Sequence, residues 1–141
     1  MQPFIVLAGL FALLVVPLGW WMALRIALAG MFLLTASAHW GRRRSDLIRM
    51  VPAVFPRPDL LVTMTGVCEI AGAAGLLIPG LATVAATALA LLLLAIFPAN
   101  VRAARERIAI AGRPHTPLLA RAAIQVIFLS ALIAVAIGPR C

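Results

Sequence analysis

Apolar residues along this chain fall into five runs, separated by turns and by Arg-rich loops. Four of the runs are long enough to form helices that cross a hydrocarbon layer of about 30 Å, at about 1.5 Å of rise per residue, and the first run is shorter. The pattern predicts an all-α protein: a polytopic transmembrane helix bundle with a four-helix core and an extra N-terminal span. The predicted spans are residues 3–17, 20–40, 60–78, 81–101 and 117–137.

The polar interruptions predict an orientation. The turns at Pro17 and Pro79 carry no charge, whereas nine of the twelve basic residues, all of them Arg, lie in residues 42–57 or 102–113. This alternation is the positive-inside pattern, so we expect the Arg-rich loops and the N-terminus in the cytoplasm and the C-terminus outside. A cleaved signal peptide is the alternative interpretation of the first run, although that run lacks a basic n-region and a clear small-x-small cleavage site.

Composition agrees with a membrane protein. The chain is 65% hydrophobic and 11% charged, with a mean hydropathy of +1.13, and this charged fraction is far below the roughly 25% of soluble domains. We therefore expect residues 1–141 to form a single integral membrane domain. The net charge of +8 is also typical of nucleic-acid binding, but the position of the arginines favours the bilayer and no nucleic acid. Anionic lipid headgroups are the expected partners of Arg42, Arg43 and Arg44.

Glu69 is the most unusual residue, because it lies in the middle of the apolar run 60–78. Along a helix it is roughly 13 Å from Leu60, near the centre of a bilayer. A charge at that depth costs at least about 2.5–3.5 kcal/mol, so the carboxyl group is expected to be neutral, paired or facing a polar cavity. A ligand or proton site is the favoured interpretation, and a carboxyl group that only holds helices together is the alternative.

Other spans carry polar residues that face Glu69 if their polar stripes meet. Arg25 and His39 share one stripe of the second span, and Arg121 and Gln125 are four residues apart on the last. The candidate polar intramembrane site consists of six residues: Glu69, Arg121, Gln125, His39, Asn100 and Arg25.

Each of these partners has a structural alternative. Arg121 is close enough to the interface for its guanidinium group to snorkel to water, and outward snorkelling is the favoured interpretation of Arg25. His39 has an alternative as an interfacial ring. Asn100 has an alternative in satisfying backbone groups freed by a kink at Pro98.

The loops and cysteines predict little chemistry. Ser45 and Asp46 are expected to cap a short interfacial helix. Cys68 is expected to be a small core residue, and Cys141, if outside, is a candidate for pairing between chains. The two cysteines cannot form a CxxC motif, and we expect no metal site. In the second loop, a surface ion pair is expected between Arg102 and Glu106.

Five short motifs occur in a particular order: Ala36-Ser37-Ala38-His39-Trp40, Met50-Val51-Pro52 with Phe55-Pro56-x-Pro58, Gly66-Val67-Cys68-Glu69-Ile70-Ala71-Gly72, Phe97-Pro98-Ala99-Asn100-Val101, and Arg121 with Gln125. Over about residues 24–132 this order resembles the DoxX family of small bacterial membrane proteins. The resemblance implies a four-helix core in the bacterial inner (plasma) membrane. It also implies a redox association, because the family is named for a subunit linked to thiosulfate and quinone oxidation.

Together these observations predict an accessory or small-molecule-binding subunit of a membrane redox system. Its Glu69 cavity would hold a quinone-like lipophile or relay a proton, and a redox partner protein is expected. No recognisable motif encodes a cofactor, and we expect no catalysis by the chain alone. A non-catalytic scaffold that recruits a cytoplasmic partner is the alternative. A lipid-modifying enzyme is less favoured, because the chain has no Tyr and no second intramembrane acid.

Overall fold

The computed structural model describes residues 2–109, 112 and 116–138, and within these residues the chain is all-helical. The described helices are α1 (Gln2–Leu18), α2 (Trp20–Ser37), α3 (Arg44–Met50), α4 (Pro58–Leu77), α5 (Ala82–Arg105) and α6 (Leu118–Ile137). Four of them, α2, α4, α5 and α6, are long and apolar enough to cross a membrane, and α1 is a shorter apolar helix. The predicted all-α bundle is confirmed, and the chain is a multi-pass membrane protein.

The four long helices form a closed bundle. Helix α2 packs on α4, α4 on α5, and α5 on α6, and α6 returns to contact α2. Helix α1 packs against α2 and contributes Leu7 to the core. At one end of α1, Gln2 accepts a hydrogen bond from Arg43 just after α2, and at the other end the chain turns at Gly19, whose φ of 77° favours glycine. Helix α1 therefore runs antiparallel to α2 along nearly its whole length.

Small residues bring α4 and α5 into close contact. A Cβ atom added at Gly75 would lie 2.8 Å from the Cβ atom of Ala85, and one at Gly72 would overlap the side chain of Leu89. In a membrane the hydrophobic effect does not drive helices together, so close van der Waals packing at small residues stabilises their contact instead. Cys68 on α4 is exposed, so the prediction that it is a core residue is wrong. Cys141 lies outside the described residues.

The first Arg-rich loop contains a short helix, as predicted, but its cap differs. Helix α3 begins at Arg44, and its N-cap residue is Arg43, which makes no capping hydrogen bond through its side chain. Ser45 and Asp46 are therefore inside the first turn, and their predicted role as caps is wrong. A carboxylate in the first turn still stabilises a helix through the helix dipole, and Asp46 also lies 3.5 Å from the guanidinium group of Arg49.

The second Arg-rich loop continues from a long helix. Helix α5 passes through Pro98 and ends at Arg105, beyond the predicted limit of residue 101. The predicted ion pair between Arg102 and Glu106 is confirmed, with Nε and Oε1 2.8 Å apart. Arg102 also donates a hydrogen bond from Nη1 to the backbone carbonyl of Val51, which ties the second loop to the first.

Candidate functional site

Glu69 is buried on α4 with 4% of its surface exposed, and both oxygens of its carboxyl group face α2. The hydroxyl group of Thr35 lies 2.7 Å from Oε2, and Nε2 of His39 lies 3.5 Å from Oε1. Thr35 and His39 are four residues apart, which brings them to the same side of α2. Arg25 and His39, which the sequence places on one stripe of the second span, are both buried.

His39 follows the end of α2 and is fixed by α4. Its Nδ1 lies 2.6 Å from the backbone carbonyl of Val62, and a Cβ atom added at Gly66 would lie 2.8 Å from the Cβ and Cγ atoms of the histidine. Only a residue without a side chain leaves this space for the imidazole ring. Because a carbonyl oxygen can only accept, Nδ1 must carry a hydrogen, and Nε2 is the nitrogen that exchanges a proton with the carboxyl group.

The proton shared by the pair lies either on Glu69, which leaves both side chains neutral, or on Nε2 of His39, which gives an imidazolium facing a carboxylate. His39 lies outside the membrane-spanning part of α2, and burial works against its charged form. The hydrogen bond and the negative charge of Glu69 more than offset this effect, the Val62 carbonyl adds to them, and the charge of Arg44 opposes them. The net result raises the pKa of His39 above its ordinary value of 6.5.

Thr35 gives the carboxyl group of Glu69 a second hydrogen-bond partner, which can act as donor or acceptor. Its hydroxyl oxygen lies 2.9 Å from the backbone carbonyl of Phe32 as well as 2.7 Å from Glu69. A hydroxyl group has one hydrogen, so Thr35 donates either to Glu69 or to Phe32. When it donates to Phe32, a protonated Glu69 becomes the donor to Thr35. The three side chains form a cluster that accommodates the carboxyl group in either protonation state.

This cluster lies on the wall of a cavity of about 590 Å³. The cavity is lined by α2, α4, α5 and α6, and by α3 and the loop after it, so it reaches the end of the bundle where the Arg-rich loops lie. Its polar lining includes Asn100 and Arg121 on α5 and α6, while most of the remaining wall is apolar, with Met31, Leu93 and Phe128 among its residues. In the described part of the chain, no group of three His, Cys, Asp or Glu side chains is placed to hold a metal ion.

Arg121 does not pair with Glu69. Its Nη1 donates to the side-chain oxygen of Asn100 at 3.1 Å, and its Nε donates to the carbonyl of Thr116 at 3.1 Å. Glu69 takes its partners from α2, on the other side of the cavity. Arg121, Asn100, His39 and Glu69 thus line one cavity, as predicted, but as two separate pairs.

Gln125 is buried outside this cavity and has a structural contact. Its amide nitrogen donates to the backbone carbonyl of Leu93 on α5, at 2.8 Å. Pro98 has no N–H group and leaves the carbonyl of Leu94 without its helical donor, so Gln125 meets α5 one residue from this gap. Asn100 was considered as a partner for backbone groups freed at Pro98, but Gln125 is the side chain that bonds to the α5 backbone near this point. The side chain of Asn100 accepts a hydrogen bond from Arg121.

Arg25 belongs to the opposite end of the bundle, and its predicted outward snorkelling is wrong. The side chain is buried, and it donates from Nε to the carbonyl of Leu76 at 2.6 Å and from Nη2 to that of Ile78 at 3.4 Å. The last carbonyls of a helix have no helical donor, and a cation is favourable at this end of the helix dipole. Arg25 satisfies these carbonyls at the end of α4 and is not part of the cavity that contains Glu69.

Arg44 also differs from the role expected for the three loop arginines. It donates to the carbonyl of His39 at 2.8 Å and to the hydroxyl group of Thr63 at 3.0 Å, so it links the end of α2 to the start of α4. Arg42 is exposed, and Arg43 is partly buried. Binding of lipid headgroups by these arginines stays a prediction.

Thr35 was not predicted to belong to the site. Threonine in a membrane helix commonly bonds to a carbonyl of its own helix, so its presence there is not a signal. The sequence indicated a place for Thr35 in the site only through its spacing, four residues before His39 on the span that also carries Arg25. The Val62 carbonyl that fixes His39 has no side-chain signal at all.

A family model described as "Domain of unknown function (DUF8561)" matches residues 28–137. The chain belongs to the DUF8561 family. The matched DUF8561 range contains Thr35, His39, Glu69, Asn100 and Arg121, whereas α1 and Arg25 lie before it. No curated protein and no solved structure matches the chain. The resemblance to the DoxX family stays a prediction.

Proposed function

We propose that the cavity binds a lipophilic small molecule of the quinone class, and that the protein is an accessory subunit of a membrane redox system. The observation that carries this proposal is the position of the Glu69 cluster on the wall of a mainly apolar cavity. The volume of about 590 Å³ lies within the range of about 300–1,000 Å³ that small-molecule sites occupy. Such sites combine apolar walls with a few polar groups that orient the ligand.

The chemistry of the cluster suits a quinone ring. A quinone carbonyl accepts hydrogen bonds, and reduction of the ring to a quinol takes up two electrons and two protons. The Glu69–His39 pair holds a proton that it can donate to one ring oxygen. The second proton must come from water that reaches the loop end of the cavity, and both electrons must come from a redox partner protein, so the chain would not catalyse this reduction alone. The resemblance to the DoxX family supports the same assignment.

The proposal is tested with ubiquinone-1 and the purified protein in lipid nanodiscs. Binding is measured by quenching of tryptophan fluorescence, since the ring of Trp40 lies 6.1 Å from that of His39. Glu69→Gln is expected to weaken binding about fivefold or more, the equivalent of one hydrogen bond. Glu106→Gln is the matched control, because it removes a carboxylate that is exposed and paired with Arg102. Absence of binding, or equal binding by Glu69→Gln, would contradict the proposal.

A scaffold without a ligand is the second candidate, and one observation favours it. Within the described residues, every buried side-chain nitrogen and oxygen has a hydrogen-bond partner, so the Glu69 cluster is complete without a ligand. With a cluster that only stabilises the bundle, the near-isosteric Glu69→Gln variant should still fold and accumulate in the membrane. Co-purification of a protein partner from native lipid patches, without a lipophile, would support this candidate.

We further propose that the protein lies in the bacterial inner membrane with its Arg-rich loops in the cytoplasm, which opens the cavity to that side. The positive-inside pattern supports this orientation. Ser45→Cys and Leu81→Cys, each in a Cys68→Ser/Cys141→Ser background, place a thiol at opposite ends of the bundle. A membrane-impermeant maleimide is expected to label the thiol at position 81 in intact cells, and the thiol at position 45 only after permeabilisation. The reverse labelling would overturn the orientation.

A further inference from the structure

Two arginines line the cavity at the end where the Arg-rich loops lie. Arg43 lies in the turn between α2 and α3, and Arg121 lies in the first turn of α6. Both residues are partly buried. Neither residue is part of the Glu69 cluster.

Both guanidinium groups are held by amide oxygens rather than by carboxylates. Arg43 donates from Nη2 to the side-chain oxygen of Gln2 at 2.6 Å, and Arg121 donates from Nη1 to that of Asn100 at 3.1 Å. An amide oxygen is neutral, so it orients a guanidinium group without cancelling its charge. Among the described residues, neither cation has a carboxylate partner, and both lie beside a mainly apolar space.

The carboxylates of the chain lie elsewhere. The sequence has four acidic residues. Glu69 faces His39, and two others lie within 4 Å of arginines outside the cavity, as the pairs Asp46–Arg49 and Glu106–Arg102. The fourth, Asp59, is exposed in the first turn of α4. In the part of the chain that the structure describes, no carboxylate lies within 4 Å of Arg43 or Arg121.

The remaining guanidinium nitrogens are available to a ligand. Within residues 2–109, 112 and 116–138, neither Nη1 of Arg43 nor Nη2 of Arg121 has a hydrogen-bond partner. No buried side-chain nitrogen there lacks a partner, so these two nitrogens face accessible space. A guanidinium group with free N–H groups binds the paired oxygens of a phosphate or a carboxylate through parallel hydrogen bonds.

We propose that Arg43 and Arg121 form an oxyanion subsite at the loop end of the cavity, which binds the oxygens of a phosphate group. This subsite goes beyond the proposed quinone site, because it uses different residues and does not depend on which lipophile fills the apolar part. The phosphate group belongs either to a phospholipid headgroup or to a free anion, and both share the same chemistry.

The lipid source is tested by native mass spectrometry of the detergent-solubilised protein. Phosphatidylglycerol and phosphatidylcholine of the same chain length are added together, and the retained lipid is counted. Wild type is expected to prefer phosphatidylglycerol, and Arg43→Gln and Arg121→Gln are each expected to reduce that preference about tenfold. Arg42→Gln is the matched control, because it removes the same charge from the adjacent, exposed position. Arg121→Lys keeps the charge and tests the subsite if the glutamine variant does not fold.

The free-anion source is tested by thermal unfolding in inorganic phosphate and in chloride at equal ionic strength. Selectivity for phosphatidylglycerol assigns the subsite to a lipid headgroup, and a rise in midpoint temperature with phosphate alone assigns it to a free anion. Either result supports the subsite if it depends on Arg43 and Arg121. An equal effect of Arg42→Gln, or the absence of both selectivity and phosphate protection, would overturn it.

Two further variants separate the possible failures. If both arginines bind one phosphate group, the loss in Arg43→Gln/Arg121→Gln should be smaller than the product of the single losses. A loss equal to that product would overturn a shared subsite. Glu69→Gln should retain the lipid preference of wild type while it loses ubiquinone-1 binding, so failure of the quinone site and failure of the oxyanion subsite give different results.

Discussion

Thr35→Val tests the hydrogen bond between α2 and α4 that holds Glu69. The change removes the hydroxyl group while keeping the side-chain shape, and it leaves Oε2 of the buried carboxyl group without its partner at 2.7 Å. Measured hydrogen bonds between membrane helices average about 0.6 kcal/mol and reach about 1.7 kcal/mol. A hydrogen bond to a charged group contributes about 1.5–3 kcal/mol. We expect the free energy of unfolding to fall by about 0.6–1.7 kcal/mol if Glu69 is protonated, and by more than about 1.7 kcal/mol if it is ionised.

A double-mutant cycle isolates this contact. In a Glu69→Met background the carboxyl group is absent, and Thr35 still bonds to the carbonyl of Phe32. Thr35→Val should therefore cost much less in that background than in wild type. The unfolding of each variant is measured in bicelles titrated with SDS and followed by tryptophan fluorescence, since the chain contains three Trp residues.

Thr87→Val is the control for this cycle. Thr87 is exposed on α5, and its hydroxyl group donates to the carbonyl of Thr83 in the same helix. Its replacement should change the free energy of unfolding little. The reasoning is refuted if Thr35→Val costs the same as Thr87→Val, or if its cost in the two backgrounds agrees within about 0.3–0.5 kcal/mol, the usual limit of additivity.

Three other predictions use the same unfolding assay. Gly66→Ala places a methyl group 2.8 Å from the ring of His39 and should destabilise the protein by about 1–3 kcal/mol, whereas Gly9→Ala, where nothing lies within 4 Å, should not. Arg25→Met removes two hydrogen bonds to carbonyls at the end of α4 and should cost more than about 1.5 kcal/mol, while a snorkelling side chain would cost almost nothing. Because the pKa of His39 is raised, its pair with Glu69 contributes stability that is fully present below pH 6.5 and is lost as the pH rises through the raised pKa. Glu69→Gln should remove this pH dependence of the free energy of unfolding.

The positions of the spans and of the buried acid could be predicted from the sequence, because both follow from hydropathy along one chain. Five apolar runs and two Arg-rich loops correspond to helices and loops in the structure. The burial of Glu69 follows from the cost of leaving a carboxyl group in contact with lipid. The stripe that joins Arg25 to His39 follows from helix periodicity alone.

The partners of these residues could not be predicted, because they depend on how each helix is rotated in the bundle. Glu69 and Arg121 have opposite charges, but α4 directs its carboxyl group to α2, and α6 directs its guanidinium group to α5. Arg25 is near enough to the interface to reach water, and only the position of α4 brings the carbonyls of Leu76 and Ile78 within its reach. Cys68 adjoins Glu69 in the chain and still points away from the core.

The separation of Glu69 from Arg121 bears directly on function. If these two side chains met, their ion pair would cross the cavity and cancel both charges, and the polar groups would act only to hold the helices together. In the structure the acid is held by Thr35 and His39 on one wall, and the arginine is held by Asn100 on the other, with the cavity between them. A space with the Glu69–His39 pair on one wall and, on the other, an arginine that has no carboxylate within 4 Å among the described residues suits an occupant with polar atoms at more than one position. Neither group needs the other for packing, so a ligand between them is the simplest reason for both to face the same cavity.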